Sequence, residues 1–161
     1  MSPRAACRLE TLGFTEVYDY VAGKTEWAAY GLPVEGKKAS SPRTANVAVR
    51  DVPTVGPKDA LRTVKQRMER DGRGVAVVVV GDAIVVGTVG PRGLEGDLGA
   101  PVESVMSPGP STYRPDVELA ELVPKLKEQD VNRVVITTPD GRYAGVLFRA
   151  DAEKLLGQQQ P

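Results

Sequence analysis

The chain repeats itself. Set against itself at an offset of 58 residues (145 − 87 = 58), it pairs Thr54 with Thr112, Pro57 with Pro115, Leu61 with Leu119, Asp82 with Asp140 and Gly87 with Gly145, without a gap. Val64 falls on Leu122, Arg67 on Lys125 and Met68 on Leu126. Two copies of one supersecondary unit are the signature of a repeat architecture, and this one limits the fold more than any single motif does. Each copy has a short extended stretch, a turn at Pro57 or Pro115, a segment of helical period, and two strand-like runs joined at Asp82 or Asp140-Gly141.

Spacing assigns the elements. Ala60, Leu61, Val64 and Met68 recur at intervals of three and four, as do Leu119, Leu122, Val123 and Leu126, which predicts two amphipathic helices. Pro124 inside the second is expected to kink it or loosen its first turns. Residues 75–80 (VAVVVV) and 84–89 predict one hairpin, and 133–138 and 143–148 the other. Runs this apolar predict sheets covered by helices. Residues 151–157 predict a closing helix that stops at Gly157, with Asp151 a candidate for its N-terminal residue. The equivalent stretch of the first copy holds Pro91, Gly93 and Gly96 and reads as a loop.

Composition narrows the chemistry. Lys plus Arg is 21, Asp plus Glu is 21, there is no histidine, and Cys7 is the one cysteine. Zero net charge argues against a nucleic-acid partner held by bulk positive charge. Serine and cysteine nucleophiles activated by histidine are excluded, as are imidazole and multi-thiolate metal sites. The longest apolar run, 75–80, is long enough for a strand of about 20 Å but not for a membrane helix. The first residues, MSPRAACRLETLGF, lack the apolar core of a secretory signal, so a cytoplasmic protein that does not enter a membrane is expected.

The order β-α-β-β-α resembles the cystathionine-β-synthase (CBS) domain, and two in tandem resemble a Bateman module. The second copy carries the pattern through Val105-Met106, Thr112, Pro115-Asp116, Asn132 to Ile136, Asp140-Gly141, Gly145-Val146-Leu147 and Asp151. The resemblance implies an α/β fold of two tandem units, residues 44–101 and 102–161, related by a pseudo-twofold axis and packed sheet to sheet. It implies an adenine nucleotide or related ligand in the cleft between them, with AMP, ADP, ATP and S-adenosylmethionine as candidates and no cofactor. The family's ribose clamp reads glycine, two apolar residues, Ser or Thr, two variable residues, then Asp. A carboxylate there accepts hydrogen bonds from both ribose hydroxyls. Gly145 and Asp151 fit it, while Phe148 stands at the hydroxyl position. Arg133 stands where the family places a phosphate-binding base, and Thr112 precedes the helix. In the first copy Gly90 and Gly93 replace the hydroxyl residue and the aspartate, and Val75 aligns with Arg133. The resemblance therefore implies at most one competent site, with candidate ligand residues Asp151, Arg133, Thr112, Gly145 and Phe148. Asp151 also suits a helix N-cap, and Arg133 a solvated edge-strand charge.

Residues 1–36 are a separate α-β-α piece. Ser2 and Pro3 can start a helix that Gly13 stops. Val17 to Tyr20 reads as a strand, and Thr25 can cap a short helix through Trp27 to Tyr30, ended by Gly31. This order, with GLPVE after it, resembles the C-terminal end of a rhodanese (sulfurtransferase) domain. That chemistry needs a persulfide-forming cysteine in a loop before the first helix. With Met1-Ser2-Pro3 leading straight into that helix, the loop is expected to be missing, and Cys7 falls inside the helix, where a small buried side chain is the default reading. The piece is expected to be a truncated, non-catalytic appendage, joined by a linker at 37–43. About 35 residues cannot support a core alone, so Leu9, Leu12, Phe14, Val17, Tyr18, Trp27 and Leu32 need a surface to cover. That need, with the apolar helix faces, predicts a homodimer. Three functions are weighed: a regulatory ligand-binding module without catalysis, a dimerisation scaffold with a degenerate cleft, and a sulfurtransferase relative, the last disfavoured by the missing loop.

Overall fold

Two sheets of matching order form the body of the protein, seen in a computed structural model that describes residues 2–18, 21, 23–36 and 40–158. In the first sheet β1 (Thr54–Val55) runs parallel to β2 (Ala76–Val80). β2 pairs antiparallel with β3 (Ile84–Val89), and β3 with β4 (Ser107–Pro108). In the second, β5 (Thr112–Tyr113) runs parallel to β6 (Arg133–Thr137), which pairs antiparallel with β7 (Tyr143–Phe148). Helix α4 (Leu61–Asp71) crosses between β1 and β2, and α5 (Leu119–Glu128) between β5 and β6. Helices α1 (Ser2–Thr11), α2 (Gly23–Ala29) and α3 (Thr44–Val47) precede the sheets, and α6 (Arg149–Gly157) follows them.

The apolar stripes settle which face each element buries. Leu61, Val64 and Met68 of α4 pack on Ala76 and Val78 of β2. The other side of β2 carries Val77 and Val79, which with Val75 just ahead of the strand meet Val135 and Val146 of the second sheet. Strand β6 does the same: Val134 and Ile136 lie under α5 and α6, and Val135 faces the first sheet. Side chains on a strand alternate between faces, so an unbroken valine run needs a cover on both sides. One cover is the unit's own helix, as the sequence predicts, and the other is the partner sheet. Pro124 lies inside a continuous α5. The carbonyl left without its amide partner is that of Ala120, an exposed residue, where water can reach it.

A pseudo-twofold axis relates the halves. Ile84 bridges Arg142, and those two positions are repeat equivalents of each other. The Val85 N–H donates to Gly141 O at 3.0 Å, and the Tyr143 N–H to Ala83 O at 2.8 Å. Exchanging the copies turns either bond into the other.

The repeat extends to the segment that leads into each unit, and these leaders are crossed over. Residues 42–49, ahead of the first unit, dock on the second: Leu119 N–H donates to Pro42 O, Thr44 N–H to Val117 O, and Val49 bridges Val146. Residues 100–108, ahead of the second unit, dock on the first through Leu61 N–H to Ala100 O, Val102 N–H to Asp59 O, and the β3–β4 pairing. Val47 and Ala48 therefore pack in the second core, and Val105 and Met106 in the first. Thr44, fully buried, donates its hydroxyl to Arg114 O at 2.6 Å and locks the first leader down.

Tyr143 joins a leader to the axis. Its hydroxyl donates to Val49 O at 3.3 Å, and burial, with the negative charges of Asp51 and Asp71 adding, pushes its pKa up to about 12. The folded value lies above the unfolded one, so the fold favours the neutral phenol. This contribution is complete below pH 10 and is lost as pH rises toward 12. Urea midpoints measured from pH 9 to 12 should fall more for the wild type than for Tyr143→Phe.

The N-terminal piece departs from several expectations. α1 forms, and Gly13 stops it at φ +93°. Cys7 is exposed rather than buried, because none of the described residues covers that face of α1. Val17 and Tyr18 are not in a strand, and Asp19 and Tyr20 lie outside the described residues, as do Lys37, Lys38 and Ala39 of the linker. α2 begins at Gly23, so Thr25 sits within its first turn and is not its cap. Trp27 donates from Nε1 to Pro33 O at 2.8 Å, and Arg50 holds the end of α2 through Ala29 O. Leu9, Leu12, Phe14, Tyr18, Tyr30 and Leu32 remain exposed. The apolar faces of α4 and α5, by contrast, are spent on their own cores.

Candidate functional site

The two sheets part at the end where β2 and β6 begin. The repeat equivalents there are Val75 and Arg133, and beside them Gly90 and Phe148. These substitutions make the two sides of the cleft unlike. Phe148, the cross-strand neighbour of Arg133, packs its ring into the inter-sheet cluster of Val75, Val77, Val135 and Val146. Gly90 leaves that volume empty on the other side. A Cβ on Gly90 would stand 3.3 Å from Nη2 of Arg133, so this arginine of the second unit reaches across to the backbone of the first.

Arg133 separates two cavities. One, of about 160 Å³, is walled mainly by valines, Val75, Val131, Val134, Val135 and Val146, with Thr88, Ser111 and Arg133 adding polar groups to its lining. The other, of about 660 Å³, is open and is bounded by the turn Pro91–Leu94, by Gly90 and Gly96, and by Ser107. Its charged lining residues are Arg92 and Arg133, with no carboxylate among them. Among the described residues neither arginine makes an ion pair. Together the cavities reach the ~300–1,000 Å³ of small-molecule sites, and they join a valine-walled slot to a cationic mouth.

The remaining candidates are dispersed. Asp151 is exposed in the first turn of α6 and is not its cap: that helix begins at Arg149, whose N–H donates to Asn132 O at 2.9 Å. Thr112 is exposed on β5. Gly145 is buried at φ +143°, where a Cβ would lie 3.0 Å from that of Ala48 and 3.1 Å from Val49 O. It makes room for the crossing leader, as Gly87 does for Met106 and Ser107. Neither cavity is lined by Asp151, Thr112, Gly145 or Phe148. Sequence reasoning passed over Arg92, Ser107 and Ser111. The self-match held a signal for one of them, since Ser107 falls opposite Val49, a polar residue where its equivalent is apolar.

Residues 102–157 match the family model of the CBS domain. Solved structures share the fold of the whole pair. The cytosolic domain of the Mg²⁺ channel MgtE in complex with ATP superposes with a TM-score of 0.64 at 17% identity, over 73% of this chain and 50% of that one. CBSX2, a CBS-pair protein of Arabidopsis thaliana, in its complex with AMP gives 0.65 at 18% identity, over 74% and 98%. A CBS domain pair in complex with 5-methylthioadenosine and S-adenosyl-L-methionine gives 0.64 at 12% identity, over 74% and 99%. The chain thus spans about half the length of the MgtE domain. No curated protein matches the sequence. The fold is that of a tandem CBS pair. Among the described residues no helix is long and apolar enough to cross a membrane.

Proposed function

We propose that the protein is a non-catalytic regulatory module that binds an adenine nucleotide or related ligand in the cleft between its two CBS units. The observation that carries this reading is the meeting of a valine-walled slot and a cationic mouth at Arg133. A flat apolar base with a charged tail is the kind of ligand that satisfies both. AMP, ATP and S-adenosylmethionine, found in neighbours of the same fold, share an adenosyl group, which supports the same class here. A second reading, a scaffold with a degenerate cleft, is favoured by Phe148, whose ring occupies the side of the cleft where the ribose clamp would lie. We read the module as a homodimer, supported by the exposed apolar side chains of the N-terminal piece. Light scattering at micromolar concentration should return twice the chain mass, and a monomer mass would contradict it.

Thermal unfolding with AMP, ADP, ATP and S-adenosylmethionine tests the ligand reading. A ligand that binds only the folded state stabilises it by about 2.7 kcal/mol at a hundred times its Kd. At least one of the four should raise Tm, and no shift at millimolar concentration would leave the scaffold reading. Arg133→Ala should weaken phosphorylated ligands by about 10–100-fold, the value of one charge-assisted hydrogen bond at ~1.5–3 kcal/mol, and leave adenosine nearly unchanged.

A further inference from the structure

We propose that the phosphate chain of the ligand lies in the first-unit half of the cleft, held by Arg92 together with Arg133, and that the site selects a nucleoside di- or triphosphate over a neutral or cationic adenosyl compound. This rests on the ligand reading above and adds to it the residue, the place and the charge class. The ribose-clamp pattern is lost from the first unit at Gly90 and Gly93. The losses change what that half of the cleft can do. Glycine at 90 leaves space where its equivalent, Phe148, fills it. Glycine at 93 removes the carboxylate that its equivalent, Asp151, supplies, and with it a repulsion toward phosphate. Between the two glycines stands Arg92, exposed on the turn Pro91–Leu94 and lining the same cavity as Arg133.

The balance of charge follows. Among the described residues neither guanidinium has an acidic partner, no carboxylate lines the cavity, and Ser107 offers a hydroxyl. Two unpaired guanidiniums facing one open space are satisfied by an anion with several oxygens, since each can give two parallel hydrogen bonds to phosphate. A cavity of about 660 Å³ gives more than one phosphate room. The valine-walled slot on the other side of Arg133 remains for the base.

Calorimetric titration of the full chain with ATP, AMP, S-adenosylmethionine and inorganic pyrophosphate tests the assignment, using Arg92→Ala, Arg133→Ala and Asp151→Ala. Both arginines are exposed, so the first two variants should keep their fold, which an unchanged Tm without ligand checks. ATP should bind more tightly than AMP, and AMP more tightly than S-adenosylmethionine. Pyrophosphate should compete with ATP. Each arginine variant should lose about tenfold or more in ATP affinity, Arg92→Lys should recover part of it, and Asp151→Ala should stay within about twofold of the wild type. Wild-type affinity for ATP in Arg92→Ala, or abolished binding in Asp151→Ala, would overturn the assignment while nucleotide binding itself stands. Wild-type protein that binds none of the nucleotides would instead remove the ligand reading, and this inference with it.

Discussion

Gly145→Ala should cost about 2–4 kcal/mol of stability, combining strained backbone at roughly 1–3 kcal/mol with overpacking of a similar size. Gly145 holds φ at +143°, a conformation L side chains rarely adopt, and its missing Cβ leaves 3.0 Å to Ala48 Cβ and 3.1 Å to Val49 O. Ala48 and Val49 belong to the leader that crosses from the first unit, so the methyl would press on the contact that ties the two units together. Gly87 is the repeat equivalent and gives an internal comparison. Its added Cβ would be as crowded, 3.0 Å from Met106 Sδ and 3.1 Å from Ser107 O, but its φ is not positive, so the backbone strain is absent. Gly87→Ala should therefore cost less, about 1–2 kcal/mol. Urea unfolding at fixed m reads both. Equal midpoints for the two variants would mean that the positive φ at Gly145 carries no cost of its own, and wild-type midpoints for both that the leaders do not press on the sheets in the way described.

Val77→Asp should do more damage still. Val77 is fully buried between the sheets, among Val52, Val75, Val135 and Val146, none of which offers a side-chain hydrogen bond. An uncompensated buried charge costs about 3–5 kcal/mol, against a total stability of roughly 5–15 kcal/mol for a domain. The variant should be largely unfolded or close to it at neutral pH. Val80→Asp, three residues along the same strand but 38% exposed, is the control and should stay within about 0.5 kcal/mol of the wild type. Near-wild-type stability of Val77→Asp would mean that the two sheets do not face each other.

Much of this fold can be read from local pattern. The self-match between Thr54 and Thr112 or Gly87 and Gly145 sets the unit. The intervals of three and four in α4 and α5, and the valine runs, set the elements, because amphipathic period and β-branching report directly on burial. The crossing of the leaders cannot be read this way. Pro42 is equivalent to Ala100, and an offset treats docking on one's own unit and docking on the other as the same pattern. Gly145 shows the consequence for the site. Glycine in a clamp motif and glycine under a crossing strand leave the same letter, and the close approach of Ala48 and Val49 to Gly145 becomes visible only in the fold. Asp151 was legible as an acidic residue near a helix start, but where that start falls depends on the long-range bond from Arg149 to Asn132 O. Arg133 was legible as a base at the head of a strand. That it reaches Gly90 of the other unit follows from the sheet packing alone. Arg92, between two glycines in a stretch without periodicity, left no signal of its own.

The protein is expected to hold one ligand per chain, in the cleft where Arg133 stands. Isothermal titration of the wild-type protein with ATP counts it directly. One site per chain is the predicted result. No heat at millimolar ATP, or two equivalent sites per chain, would contradict it, the second because the ring of Phe148 and the glycine at 90 make the two sides of the cleft unequal.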